Sequence, residues 1–322
     1  MTLVAVVGMV WEREAAAPGL IVLSDTRLTM NGGEWLFDGC LKSYVLGSAC
    51  VLIAGSSLPA MIAIEHARGW ISMEVDAGER ALSVLAEAAC LQRLLRSTYA
   101  SLVLPLLEGG AEANQQSSVL VAGWLDDGGP AIVRIDLDLT TRAVALYRAE
   151  AGRPICVATG DDWFSAVFVE AMRSKLPAAR SMEGAVHLAA SVFRDVIRHQ
   201  GKPALSIGGG LSLGISLREK GRPWVWPVVE IDGLRYQRGL RVSGHVPEEW
   251  RSLTFEIETD DALMARAEQS LAPGAEHALT LTQPVAIIVD CREHGRFARD
   301  VHRWLGISER EERALTELFG ED

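Results

Sequence analysis

Lysine is nearly absent from this chain. Lys42, Lys175, Lys202 and Lys220 are the only four among 31 basic residues, and arginine supplies the rest. Basic blocks are missing too, and 42 acidic residues bring the net charge to −11. Neither nucleic acid nor an anionic membrane surface is expected as a partner of such a chain. No apolar run reaches the ~18 residues of a membrane span, and the start, Met1-Thr2-Leu3-Val4, lacks the basic region of a signal peptide. The five cysteines (Cys40, Cys50, Cys90, Cys156, Cys291) are scattered and show no CxxC spacing. That argues for a reducing, cytoplasmic setting without a disulfide framework or a zinc site. The seven histidines have no HExxH spacing, and Gly208-Gly209-Gly210 is not followed by the Lys-Ser/Thr of a phosphate loop. No metal and no cofactor is expected, and the glycine run reads as a bulge or a close backbone approach.

What is present fits a globular protein. The chain has 322 residues, 49% of them hydrophobic and 23% charged, which suits a folded chain of ~2 domains. Lys42 stands out among the lysines because it lies in a largely apolar stretch, Phe37 to Leu46. A partly buried lysine offers a compact charge and a tunable pKa. The alternative is a lysine at a strand start with its stem buried and its head in water.

Apolar runs bounded by turn residues predict strands at 2–8, 19–25, 44–46 and 50–55, the first two as an antiparallel hairpin. Two helices follow, over 58–68 with Gly69 as its stop and over 79–104 ended by Pro105. Strands return at 118–123, 131–136, 143–148 and 155–158. Asp161-Asp162 reads as the N-terminus of a helix to about 173, and Ser181 as the cap of another to about 199. Strands at 211–217 and 224–231 complete this part. Paired helices between antiparallel meanders point to an α+β protein built as a four-layer αββα sandwich. Composition shifts near Gly239, so the expected domains are 1–239 and a small α/β appendage over 240–322. The appendage is expected to hold strands at 253–258 and 284–290, a helix capped by Thr259, and a last helix opened by a Ser308/Glu311 capping box. The helix over 79–104 is apolar on much of its surface, which predicts an exposed patch in a monomer and hence self-association.

Thr2 stands behind an initiator methionine whose removal exposes a residue carrying both a nucleophilic hydroxyl and an α-amine of pKa about 8. The next strand ends at Asp25, Lys42 opens a further one, and Ala54-Gly55-Ser56 closes the strand after it. An ammonium beside the Thr2 amine would lower its pKa, a carboxylate would hold the ammonium, and a glycine N–H at a strand-to-helix junction would stabilise an oxyanion.

Taken in order, these stretches resemble the proteasome β-type subunits and the related bacterial ring peptidase, members of the N-terminal nucleophile hydrolases. The resemblance runs through Thr2-Leu3-Val4-Ala5, the apolar run into Asp25-Thr26-Arg27-Leu28-Thr29, Lys42, Val51 to Gly55, Ser118 to Gly123, and Thr159-Gly160-Asp161 heading a helix. It implies a threonine-type peptidase with Thr2 as nucleophile, its free amine as base, Lys42 tuning that base and Asp25 pairing with Lys42. Gly55 would be the oxyanion donor, and Thr159 would help organise the amine and a water. Arg27 takes the family's arginine position. Thr29 and Gly55 would bond an extended peptide, and Leu28, Ile53 and Ser57 would line a pocket suited to an apolar side chain. Implied partners are a peptide or unfolded-protein substrate, further copies of the chain in a ring, and a separate ATP-dependent unfoldase. One departure supports the alternative of a catalytically inactive ring or scaffold subunit. Where the family has an aspartate three residues before Ser-Gly-Gly, residues 203–210 read Pro-Ala-Leu-Ser-Ile-Gly-Gly-Gly, without a carboxylate.

Overall fold

The computed structural model describes residues 2–11, 18–30, 35–38, 40–76, 82–109, 117–137, 142–179, 181–198, 207–208, 210–218, 224–231, 234–237, 240–241, 255–256, 287–290 and 309–319. In chain order the elements of the first half are β1 (Leu3–Met9), β2 (Gly19–Asp25), β3 (Arg27–Met30), β4 (Trp35–Asp38), β5 (Ser43–Leu46), β6 (Ala49–Gly55), α1 (Ser57–Asp76), α2 (Val84–Glu108), β7 (Ser117–Trp124), β8 (Pro130–Leu137) and β9 (Arg142–Arg148). There follow β10 (Ile155–Gly160), α3 (Asp162–Lys175), α4 (Met182–Arg198), β11 (Leu211–Leu217), β12 (Val228–Ile231), β13 (Leu234–Gln237), β14 (Leu240–Arg241), β15 (Phe255–Glu256), β16 (Ile287–Asp290) and α5 (Glu309–Phe319). The protein is α+β, with two main antiparallel sheets. It divides into two compact units, Met1–Ser43 with Ala149–Pro284 and Tyr44–Arg148 with Val285–Asp322.

In the first unit β1 and β2 pair antiparallel, Ala5 opposite Leu23 and Val7 opposite Ile21, as the sequence predicts. With β10 and β11 they form a four-stranded sheet in the order β10-β1-β2-β11. The strands are apolar at consecutive positions because both faces need cover. On one face Leu3, Ala5, Val7, Ile21, Leu23 and Leu213 form a core with Phe168 and Met172 of α3 and Val186 and Phe193 of α4. Phe168 and Phe193 meet edge to face at 5.6 Å. Val4, Val6, Leu20 and Val22, on the other face, are also fully buried. Beyond β2 the short β3 pairs with β4, and a smaller sheet runs β14-β13-β12-β15. The sequence predicts one strand over 224–231. Instead β12 begins at Val228, and Val225 forms an isolated bridge to Ile215.

The second unit is a six-stranded sheet in the order β16-β9-β8-β7-β6-β5. Val51, Ile53, Val119, Val121, Val133 and Val144 pack under α1, α2 and α5. Both long helices differ from expectation. α1 runs through Gly69 to Asp76, because an exposed mid-helix glycine costs only about 1 kcal/mol. α2 continues past Pro105 to Glu108, and the Pro105 carbonyl accepts from Gly109 N–H at 3.0 Å. The first turn of α2 also starts later, at Val84, with Glu87 N–H on the Ser83 carbonyl.

The expected appendage over 240–322 is divided between the units. β16 extends the large sheet antiparallel to β9, with Ile288 opposite Ala145. On α5, Ala314, Leu315, Leu318 and Phe319 enter the same core as α2. Gln92 of α2 donates to the Leu318 carbonyl at 3.0 Å. Glu311 accepts from Asp126 N–H at 2.9 Å, and Ser308, the other member of the expected capping box, lies outside the described residues. The helix capped by Thr259 lies outside the described residues. The apolar surface of α2 is therefore mostly covered within the unit: Leu85, Ala88, Leu91, Leu95 and Val103 are buried, and Leu102 is half exposed. The exposed large apolar side chains lie chiefly on α1, at Leu58, Met61, Trp70 and Met73. Among the described residues no helix is long and apolar enough to cross a membrane.

Candidate active site

Asp25 is the last residue of β2, where the strand ends and its side chain is released from the alternation of the sheet. Arg27 N–H, two residues on, donates to Asp25 Oδ2 at 3.2 Å, a local turn that fixes the carboxylate. Leu3 N–H of the neighbouring β1 donates to Oδ1 at 3.0 Å, and Gly208 N–H to Oδ2 at 3.3 Å. Lys42, just ahead of β5, completes the set with Nζ at 2.9 Å from both carboxylate oxygens. The two side chains are 5% and 0% exposed, so this is a desolvated ion pair rather than a surface one. Burial pushes the Asp25 carboxyl above its usual range, while Lys42 and the backbone N–H groups of Leu3 and Gly208 pull against it.

Lys42 Nζ also donates to Thr2 Oγ1 at 2.5 Å. Thr2 is 7% exposed. An ammonium held on a hydroxyl stabilises the oxygen as it loses its proton, and the chelating carboxylate keeps the ammonium aimed. Thr2, Asp25 and Lys42 are thus brought together in the first unit. Asp25 thus both closes a local turn and pairs with Lys42 in one side chain.

The backbone of Thr2 is fixed from the other side. Its carbonyl accepts from Asp161 N–H at 2.8 Å, and Asp161 in turn caps α3 by accepting from Trp163 and Phe164 N–H. Leu3 pairs with Gly160. Gly160 has φ +122°, and a Cβ there would lie 1.9 Å from the Thr2 carbonyl oxygen, so only glycine permits this approach. Thr159 is buried and opposite Val4, two residues along from Thr2.

The remaining predicted residues fall in two places. Arg27 is half-buried, with its guanidinium against Gly208. Leu28, half-buried, and Thr29 follow on β3, opposite Phe37 and Leu36. Gly55, Ile53 and Ser57 belong to the second unit. Gly55 ends β6 with φ +84° and is exposed, Ile53 is part of that unit's core, and Ser57 opens α1. Sequence reasoning missed Thr26, Gly160 and Asp161 as parts that hold Thr2 and its partners. A signal existed in the two glycine-bearing stretches, 159–161 and 208–210, since glycine marks close backbone approach. Among the described residues no group of three or more His, Cys, Asp or Glu side chains is placed to hold a metal. Comparison with protein-family models found no match, and neither did comparison with curated proteins.

Proposed function

We propose that this protein is an amide-bond hydrolase of the N-terminal threonine type, acting on peptides once Met1 has been removed. The observation that carries this reading is Lys42 Nζ bound at once to Thr2 Oγ1 and to both oxygens of a buried Asp25. Burying a lysine beside a hydroxyl and a carboxylate has little structural purpose, because an apolar trio would pack as well at lower desolvation cost.

In the proposed reaction the freed Thr2 amine takes the hydroxyl proton as Oγ1 adds to the substrate carbonyl. A backbone N–H receives the oxyanion, the role the resemblance gives to Gly55, and the protonated amine returns its proton to the leaving nitrogen as the C–N bond breaks. The resulting ester on Thr2 is hydrolysed by a water that the amine activates, with Thr159 helping to place both. In the first unit Thr29 would bind the peptide in extended form and Leu28 would favour an apolar side chain, whereas Ile53 is taken up in the core of the second unit. For the fold we propose the four-layer αββα sandwich. It is supported by each main sheet having helices on one face and buried residues on the other, Val4 and Val22 in one and Leu52 and Leu120 in the second. The chain is further proposed to act as a homo-oligomer, served by a separate unfoldase.

The test uses full-length protein whose loss of Met1 is established by intact mass. Wild type is expected to cleave fluorogenic peptides with an apolar P1 residue and to be labelled by a threonine-directed epoxyketone. Thr2→Ala is expected to abolish both. Wild type lacking Met1 that reacts with neither overturns the reading, and retention of Met1 in protein from its own host points instead to a non-catalytic scaffold subunit.

A further inference from the structure

Gly208 and Gly210, at the end of the stretch in which the resemblance leads one to expect a carboxylate, are hydrogen-bonded to Asp25 and Thr26. Regular pairing of β11 with β2 ends where Leu211 stands opposite Asp25. Past that point Thr26 N–H donates to the Gly208 carbonyl at 3.1 Å. Thr26 Oγ1 accepts from Gly210 N–H at 2.7 Å and lies 3.4 Å from the Gly210 carbonyl oxygen. Thr26 is buried, so these bonds are shielded from water. Held in this way, Gly208 directs its own N–H to Asp25 Oδ2. The other two backbone donors on Asp25 come from β1 and β3, strands fixed by their own ladders. The Gly208 donor comes from a stretch anchored by Ile207 in the core and by Thr26.

We propose that Thr26 is a positioning residue, clamping Gly208 and Gly210 so that the Gly208 N–H stays on Asp25 and Asp25 stays on Lys42. A backbone donor here does part of the work of ordering the site. The catalytic consequence rests on the peptidase reading; the clamp itself does not. Glycine suits position 208 because φ there is +153°, which L side chains rarely adopt; an added Cβ would also meet the guanidinium of Arg27, a flexible group that can yield. The charged and titratable groups about Asp25 are Lys42, Arg27 and Cys40. The Cys40 thiol is pushed up by burial and by Asp25, with Lys42 pulling it down.

Thr26→Val keeps the shape and removes the hydroxyl, and Thr26→Ser restores it. With the Gly208 donor loosened, the Asp25 carboxyl should titrate about one pH unit higher by carbon-13 NMR. In an active enzyme kcat should fall about tenfold, with KM within about twofold and the acid limb of the kcat profile shifted up in step. Thr26→Ser should return all three toward wild type. If wild type turns over no peptide yet Thr26→Val still moves the Asp25 titration, the peptidase reading falls and the clamp stands. If wild type is active and Thr26→Val leaves the titration, kcat and pH profile unchanged, the clamp is overturned, as it is if Thr26→Ser behaves like Thr26→Val. Should Thr26→Val fail to fold, Gly208→Ala is the second variant; it should raise the Asp25 titration in the same sense, and an unmoved Asp25 there overturns the proposal.

Discussion

Lys42 Nζ has three N–H donors, and its three bonds go to the two oxygens of Asp25 and to Thr2 Oγ1. Arginine, the commoner basic residue of the chain, presents a wide planar fork that does not converge on one hydroxyl in so small a space. That is a physical reason for one of four lysines to sit here. A second buried acid, Glu87 on α2, has a structural task. Its Oε1 accepts from Ser48 N–H and Ser48 Oγ, and its Oε2 from Ala49 N–H, which ties the β5–β6 turn to the helix. Burial pushes its pKa from 4.5 up to about 7, against the pull of those hydrogen bonds. The folded protein thus holds a proton up to about pH 7 that an unfolded chain releases near 4.5. Unfolding releases that proton between the two values, so its stabilising effect is complete below the lower one and is lost as pH rises through the upper one. The predicted loss is on the order of 3 kcal/mol across the window. Asp25, also raised by burial, acts in the same sense. Urea unfolding of wild type and Glu87→Gln at a series of pH values separates the two. The variant should show a visibly flatter dependence between pH 5 and 7 (roughly the window of the shift), and an unchanged slope would show that Glu87 does not titrate there.

Elements near the first site were largely legible, because their signals are local. The consecutive apolar residues of β1 and β2, the cap at Asp161 and the cap at Ser181, whose Oγ accepts from Gly184 N–H at 3.1 Å, follow directly from residue type and spacing. The Thr2, Asp25 and Lys42 grouping was legible through the order of strand ends. What sequence patterns left obscure depends on distant partners. Gly69 and Pro105 read as helix stops, yet packing of α1 on α2 and of α2 on the sheet carries both helices onward. The Thr26 clamp joins residues 184 positions apart in the chain, which no local pattern announces. The same holds for α5, whose sequence looks like the end of a separate appendage. Leu315 and Leu318 are fully buried in the core of the second unit. Leu315→Ala should therefore lower the stability of that unit by about 2–5 kcal/mol, as a truncated core leucine does. A urea midpoint followed by circular dichroism reads this. An unshifted midpoint would mean that α5 is dispensable to the core and belongs to an appendage after all.

At the scale of the whole molecule, the case for self-association moves from α2 to α1. Leu58 and Met73 are 63% and 65% exposed and Met61 39%. The helical period places these three within about 120° of arc on α1. Trp70, beside them, is partly shielded by the Arg93 guanidinium, 5.6 Å from its ring centroid. Arg93 in turn pairs with Glu317 of α5 at 2.9 Å, so a charged rim flanks the apolar side. Large apolar residues grouped on one helix face are what an interface core needs, and a monomer gains nothing by exposing them to water. With a net charge of −11, the proposed association would be driven by apolar burial against general repulsion, and so would grow stronger as salt screens that repulsion. Light scattering at micromolar concentration should give a mass that is a multiple of 34.9 kDa, persisting or growing at higher salt. The paired substitution Leu58→Asp with Met73→Asp should return it to the monomer while leaving the far-ultraviolet circular dichroism unchanged. A monodisperse wild type at 34.9 kDa overturns the oligomer, and an oligomer indifferent to both substitutions moves its interface away from α1.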